Sequence, residues 1–291
     1  MRGSSVNFHL ENRFIVVTGG SMGLGLESAR SCLAAGATVA ICARGQADLA
    51  TAEAELRGQF PARRIVSFVV DVSREDQVVK LFDDVVGTFG RVDGLIHAAG
   101  VYGPIGPIVD VDPDAWWDAV RINLFGTFLV ARAAAREMKK TGGGRIVLYS
   151  GGGAATPFPN YTAYAASKVG VVRFTETIAQ ELAPDIAVNC VAPGFVITRL
   201  HQQTLAAADR VGGEFLEKTR AEMEKGGVPA TVGADAAAFF VSDAAKGITG
   251  KFVAAPYDGY ANWPDHLEQL QSTDIFTLRR IVPRERNMDW Q

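Results

Sequence analysis

The chain is 291 residues long, 48% hydrophobic and 21% charged, with 29 basic and 32 acidic side chains and a formal net charge of −3. Such a composition supports a soluble globular chain with a sizeable core, and its near-neutral balance provides no field to hold nucleic acid or an anionic membrane surface. No apolar run approaches the roughly 18 residues of a membrane helix, and residues 1–10 contain no apolar signal core, so the expected location is cytoplasmic. Cys32, Cys42 and Cys190 are scattered through apolar segments without CxxC pairing, which predicts reduced core thiols and no metal site.

Short β-branched runs recur at residues 14–17, 38–43, 65–70, 95–98, 145–148, 185–191 and 251–254, separated by stretches of helical character. Parallel neighbours need long crossovers, so this alternation predicts βαβ units in an α/β fold. The expected architecture is a doubly wound, mostly parallel sheet of seven strands, Rossmann-like, with helices on both faces. No repeat or low-complexity linker divides the chain. The reading is a single domain over residues 1–259, with 195–228 as a substrate lid and 260–291 as a C-terminal extension. Helical stretches near 115–140 and 161–182 are apolar on more than one face. A second buried face predicts a homodimer or homotetramer, with burial beneath the chain's own tail as the alternative.

The first strand runs into Thr18-Gly19-Gly20-Ser21-Met22-Gly23-Leu24-Gly25, and a helical stretch follows at once. Glycines between a strand and a helix let the backbone approach a pyrophosphate, whose charge suits the unpaired N–H groups of the helix N-terminus. Dinucleotide binding is predicted by Thr18, Gly19, Ser21, Met22, Gly23, Leu24 and Gly25. After the second strand, Ala43 stands where an acid would accept from a ribose 2′-hydroxyl, and Arg44 follows it. A guanidinium fork there pairs with a 2′-phosphate, so NADP is expected over NAD. Asp71 and Val72 end the third strand, where they could meet the adenine; a plain turn role for Asp71 fits the sequence equally.

Tyr164-Ala165-Ala166-Ser167-Lys168 sets a phenol and an ammonium on one face of a helix. A nearby cation favours phenolate, which predicts Tyr164 as an acid/base for an alcohol or carbonyl oxygen while hydride moves at the adjacent carbon.

From about residue 8 to 259 the chain resembles the short-chain dehydrogenase/reductase family. The resemblance rests on the glycine loop, Tyr164 with Lys168, His97-Ala98-Ala99-Gly100 where the family often has NNAG, Asn123, and Asn189-x-x-x-Pro193-Gly194-x-x-x-Thr198. It implies a nicotinamide-dependent oxidoreductase in which Lys168 binds the nicotinamide ribose and tunes Tyr164. It further implies that Asn123 holds a proton-relay water, that Ala98, Ala99 and Gly100 border the cofactor, and that Pro193, Gly194, Val196 and Thr198 surround the carboxamide. His97 replaces an asparagine and reads as a packed strand-end residue.

The family's substrate-binding serine stands one residue closer to the tyrosine than Ser150 does here; strict spacing lands on Gly151. Either the run Gly151-Gly152-Gly153 absorbs the extra residue, so that Ser150 donates to the substrate oxygen, or that donor is absent. Glycine's backbone freedom favours Ser150. Tyr102, Phe158 and Phe195 are the expected apolar contacts to substrate, while His201, Gln202 and Gln203 read as solvated, with contact to polar substrate groups as the alternative. The expected reaction interconverts a small secondary alcohol and a ketone. The rival readings are a cofactor-retaining epimerase or dehydratase and a non-catalytic cofactor sensor.

Overall fold

In the segment Phe14–Thr18, Ile15 and Val17 point to one side and Val16 to the other, and all three are buried. The same two-residue period runs through Thr38–Ala43, with Val39 and Ile41 opposite Ala40 and Cys42. It recurs in Gly144–Tyr149, with Val147 and Tyr149 opposite Ile146 and Leu148. Strands apolar on both faces must be covered on both, which is the condition of a parallel sheet flanked by helices.

The computed structural model describes residues 8–290. Its strands are β1 (Phe14–Thr18), β2 (Thr38–Ala43), β3 (Ile65–Val69), β4 (Gly94–His97), β5 (Gly144–Tyr149), β6 (Ile186–Ala192) and β7 (Phe252–Ala254), all parallel, in the order β3-β2-β1-β4-β5-β6-β7. Helices α1 (Gly23–Ala34) and α2 (Gln46–Gln59) pack on one face. Helix α3 (Glu75–Phe89) packs on the other. The expected doubly wound seven-stranded sheet is therefore present. Its order reverses between β1 and β4, which opens a crevice at the carboxyl ends of the strands.

The long helical stretch after β4 is three pieces in series: α4 (Pro113–Val120), a π turn at Arg121–Phe125, and α5 (Gly126–Lys140). Asp112 starts it by accepting from the Ala115 N–H at 2.7 Å, with Pro113 in the first turn, a cap worth about 1 kcal/mol. The π turn gives residues 121–125 a wider loop, and Asn123, at its centre, is fully buried. Helix α6 (Thr162–Leu182) packs beside it.

Beyond β6 the chain forms α7 (Arg199–Ala206) and α8 (Gly213–Glu224) before returning to α9 (Ala230–Phe240), which lies against α1. Val228 N–H donates to the Phe195 carbonyl at 2.8 Å, closing the base of this excursion at both ends.

The tail packs on its own chain. After α10 (Leu267–Ser272), Phe276 stacks on Trp263 at 4.3 Å, and its carbonyl accepts from Phe252 N–H at 2.8 Å. Lys251 Nζ donates to the carbonyls of Thr273 and Ile275, and Glu176 accepts from Leu278 N–H. The second outward N–H of β7, on Ala254, donates to Asp258 Oδ2 at 2.6 Å. The open edge of the sheet is thus covered. Arg279 pairs with Asp274 and Glu285, whereas Ile281, Met288 and Trp290 are exposed. The packed portion of the tail consequently ends near Arg279.

Candidate active site

The loops at the carboxyl ends of the strands enclose one cavity of about 1750 Å³ that runs from Arg44 past the glycine loop to Tyr164 and on to Phe215. At its nucleotide end the glycines leave space that side chains would fill. A Cβ on Gly25 would lie 2.2 Å from the Gly19 carbonyl oxygen, and Gly19 itself has φ +67° with its α-carbon face against the Ala98–Ala99 backbone. Helix α1 begins at Gly23 with no side chain capping its first turn, so its N–H groups point toward the cavity. Ser21, Met22, Leu24, Arg44, Val72, Ala98, Ala99 and Gly100 also border this end. Thr18 stands behind the loop, fully buried, with its hydroxyl 2.7 Å from His97 Nδ1.

Asp71 does not line the cavity. Its carboxylate accepts from the N–H and hydroxyl of Ser73, closing a turn. Burial pushes its pKa up, but those two bonds and the neighbouring Arg44 and Arg121 guanidinia outweigh it, leaving the net shift downward. Of the pair at the end of β3, Val72 faces the cavity and Asp71 shapes the loop.

His97 is 2% exposed, and burial together with the Lys168 charge lowers its pKa to about 3. It is a neutral strand-end residue that holds Thr18 rather than a base.

Tyr164 and Lys168 lie one turn apart on α6, both buried to within a few percent and both lining the cavity. Lys168 Nζ donates to the Tyr149 carbonyl at 2.9 Å and sits 5.6 Å from the centroid of the Tyr164 ring. Burial brings the lysine down to about 8 and pushes the phenol up. In the chain without cofactor, desolvation dominates and the phenol holds its proton; the pull toward phenolate that the sequence predicts needs a cationic nicotinamide as well as Lys168.

Geometry also decides between Ser150 and Gly151 and places Asn123. Ser150 lines the cavity, and its Oγ donates to the main-chain carbonyl of Lys168 at 3.2 Å. It is Gly151 that faces the phenol, since a Cβ there would lie 2.3 Å from the Tyr164 hydroxyl. The glycine run did not absorb the extra residue; strict spacing from Tyr164 identifies the right position, and that position has no side chain. Asn123 likewise commits its amide internally, accepting from Val101 N–H at 2.8 Å and donating to the Val101 carbonyl and Ser167 hydroxyl at 2.8 and 3.0 Å. Its side chain thereby anchors the loop after β4. The spacing still brought it close: a Cβ on Gly100 would be 3.2 Å from Asn123 Oδ1 and 3.5 Å from Lys168 Nζ.

Pro193, Gly194, Val196 and Thr198 line the far wall, and Thr198 Oγ1 is buried without a partner. Tyr102, Phe158 and Phe195 also face the cavity. Phe158 stacks on Tyr161 at 4.3 Å and meets Phe215 edge-on at 4.9 Å. The residue count back from Tyr164 points to Gly151, with Ser150 favoured over it by the sequence reading, while the place of His201 in the site depends on how α7 folds over the crevice.

The parallel sheet with its order reversal, the glycine cradle before an uncapped helix and the Tyr-Lys pair in one crevice define a dinucleotide-binding oxidoreductase of Rossmann type. Residues 13–209 match the short chain dehydrogenase family. The chain belongs to that family. It is 32% identical to the pig (Sus scrofa) dehydrogenase/reductase SDR family member 4, over 84% of this chain and 86% of the relative. Among solved structures it superposes on NAD+-bound xylitol dehydrogenase with TM-score 0.78 and 28% identity, covering 84% of this chain and 98% of that one. For an actinorhodin polyketide ketoreductase variant with NADPH, the TM-score is 0.76 and the identity 30%, with 86% and 97% covered. No helix among the described residues is long and apolar enough to cross a membrane.

Proposed function

We propose that the chain interconverts a small secondary alcohol and a ketone, with Tyr164 as the acid/base and NADP preferred over NAD. The observation that carries this reading is the placement of the Tyr164 hydroxyl, with Lys168 beside it, in the same cavity as the glycine cradle of α1. The residues suit a nicotinamide dinucleotide at both ends of that cavity. Bare helix N–H groups and Arg44 meet the phosphates at one end, and the unpartnered Thr198 hydroxyl suits the carboxamide at the other. A bound nicotinamide supplies the hydride acceptor or donor.

The residues of the chain manage the proton. In ketone reduction Tyr164 Oη gives its proton to the substrate oxygen; in alcohol oxidation it takes the proton from the hydroxyl. Burial keeps the phenol protonated, the form required for reduction. Lys168 holds the ribose and restores charge balance at the phenol. Ser150 acts through the Lys168 backbone, and Asn123 through the loop at Val101. The 195–228 excursion serves as the lid that excludes water from the reacting atoms.

The working unit is a cytoplasmic homodimer or homotetramer. Phe125 and Phe128 stack at 5.9 Å on the outer side of the π turn and α5, partly exposed together with Trp117 of α4 and Val169 of α6. Such an exposed aromatic patch suits the self-complementary contact of a twofold axis.

The test is oxidation of NADPH at 340 nm with a panel of ketones, in the wild type and in Tyr164→Phe. A net absorbance change in the wild type and a loss of roughly 10³-fold in kcat, with NADPH binding retained, is expected. Unchanged turnover in the variant would remove Tyr164 from the reaction, and product without net cofactor change would point to epimerisation or dehydration instead.

A further inference from the structure

His201 sits on α7, within the lid excursion, at a position where the sequence predicts a solvated side chain. Its ring instead packs against Phe195 at 4.2 Å and meets Tyr102 edge-on at 6.2 Å. Its Nε2 lies 3.5 Å from the Tyr102 hydroxyl, and its Nδ1 is buried with no partner. Tyr102 is 4% exposed, and its ring meets that of Tyr164 edge-on at 4.9 Å and 87°. Tyr102, Tyr164 and His201 all border the cavity, and Phe158, Leu200 and Phe215 add aromatic and aliphatic wall in the same cluster.

An unmatched polar group in such a wall costs about 1–3 kcal/mol, which a ligand can recover by supplying the missing partner. Burial lowers the His201 pKa, so the ring is neutral. If Nε2 accepts from Tyr102, the Nδ1–H remains as a donor; if Nε2–H donates to Tyr102, the Tyr102 O–H remains, because the neighbouring Thr204 hydroxyl already accepts from Tyr161 and meets Tyr102 as a donor. In either tautomer the pair retains one donor, and oxygen is the acceptor that would meet it. Gly151, on the other side of the phenol, offers no side chain to compete for that oxygen.

We propose that Tyr102 and His201 form a substrate-reading pair that selects ketones and alcohols carrying a second oxygen, as hydroxyl or carbonyl, near the reacting carbon. The assignment rests on the oxidoreductase reading above and adds the class of substrate to it. A site built to hydrogen-bond a substrate group rejects the analogue that lacks it far more strongly than an apolar pocket rejects a missing methylene, because its own polar groups are then left unpaired.

The test compares 3-hydroxybutan-2-one with butan-2-one, using the full chain at saturating NADPH. The wild type is expected to favour the hydroxyketone by about 10²-fold in kcat/KM. Tyr102→Phe and His201→Leu should bring that ratio to within about threefold of one, mainly through KM of the hydroxyketone, and His201→Gln should recover part of it. NADPH binding by each variant reports that the fold is kept. Equal kcat/KM for the two ketones in the wild type overturns the proposal. So does a proportional fall for both ketones in the variants, which is the signature of a purely structural role. Failure of the wild type to oxidise NADPH with either ketone overturns the reaction itself, and this assignment with it.

Discussion

The two ends of the cavity are built by opposite means. At the nucleotide end, recognition comes from backbone and from side chains that are missing: Gly19 and Gly25 bring main chain into contact, and α1 starts without a cap. At the substrate end, the surface is made of large side chains drawn from the loop after β4, from the start of α6 and from α7 and α8, as in the Tyr102, Phe158, His201 and Phe215 cluster. A backbone cradle has little room to vary, because any added carbon collides with main chain. A wall of side chains can be recut residue by residue, so one scaffold can keep its cofactor while changing what it acts on.

The sharpest way to break this contrast is Gly25→Ala. Its Cβ would meet the Gly19 carbonyl at 2.2 Å, a contact only backbone movement can relieve. A loss of about 3 kcal/mol in stability and at least roughly 10²-fold in NADPH affinity is expected, read from urea midpoints and fluorescence titration. A benign effect would mean the cradle is softer than its geometry implies.

Next comes pH. His97 titrates at about 3 in the folded chain against an ordinary 6.5, so between these values the unfolded chain binds the extra proton. Stability is then fully present above pH 6.5 and lost as pH falls toward 3, by about 3 kcal/mol at pH 4.5. His97→Asn should flatten that slope in urea melts at pH 7 and 4.5; an unaltered slope would place the acid sensitivity elsewhere.

Arg44→Asp should shift the NADP-to-NAD ratio of kcat/KM by about 30-fold, roughly 2 kcal/mol, toward NAD. An unmoved ratio would separate Arg44 from the 2′-phosphate. The smallest effect belongs to Ser150→Ala, whose hydroxyl is spent on the Lys168 carbonyl. Less than about threefold in kcat is expected, and a drop near 10²-fold would show that this hydroxyl does reach the substrate oxygen.

The same contrast explains what could be read from the sequence. Strands with two-residue alternation and glycines at a strand–helix junction are local signals, so the sheet and the cradle, from Phe14 to Gly25, were legible before any coordinates. The Tyr164–Lys168 pair was legible for the same reason, being one helical turn. Ser150 and Gly151 were not, because choosing between them required knowing whether three glycines bulge. Desolvation was equally out of reach: the phenol's upward shift depends on rings from Tyr102 and Phe158 that pack against it from elsewhere in the chain. The burial of His201 was not legible because it is completed by Tyr102, 99 residues away in sequence and brought beside it and Phe195 only by the course of α7.

The closure of the sheet has a bearing on biosynthesis. Strand β7 spans three residues, and the groups that satisfy its outward N–H groups come from Asp258 and Phe276, downstream of the strand itself. The rim of the sheet therefore stays unsealed until Phe276 has left the ribosome, and a product terminated between β7 and that residue leaves a bare strand able to template pairing with its neighbours.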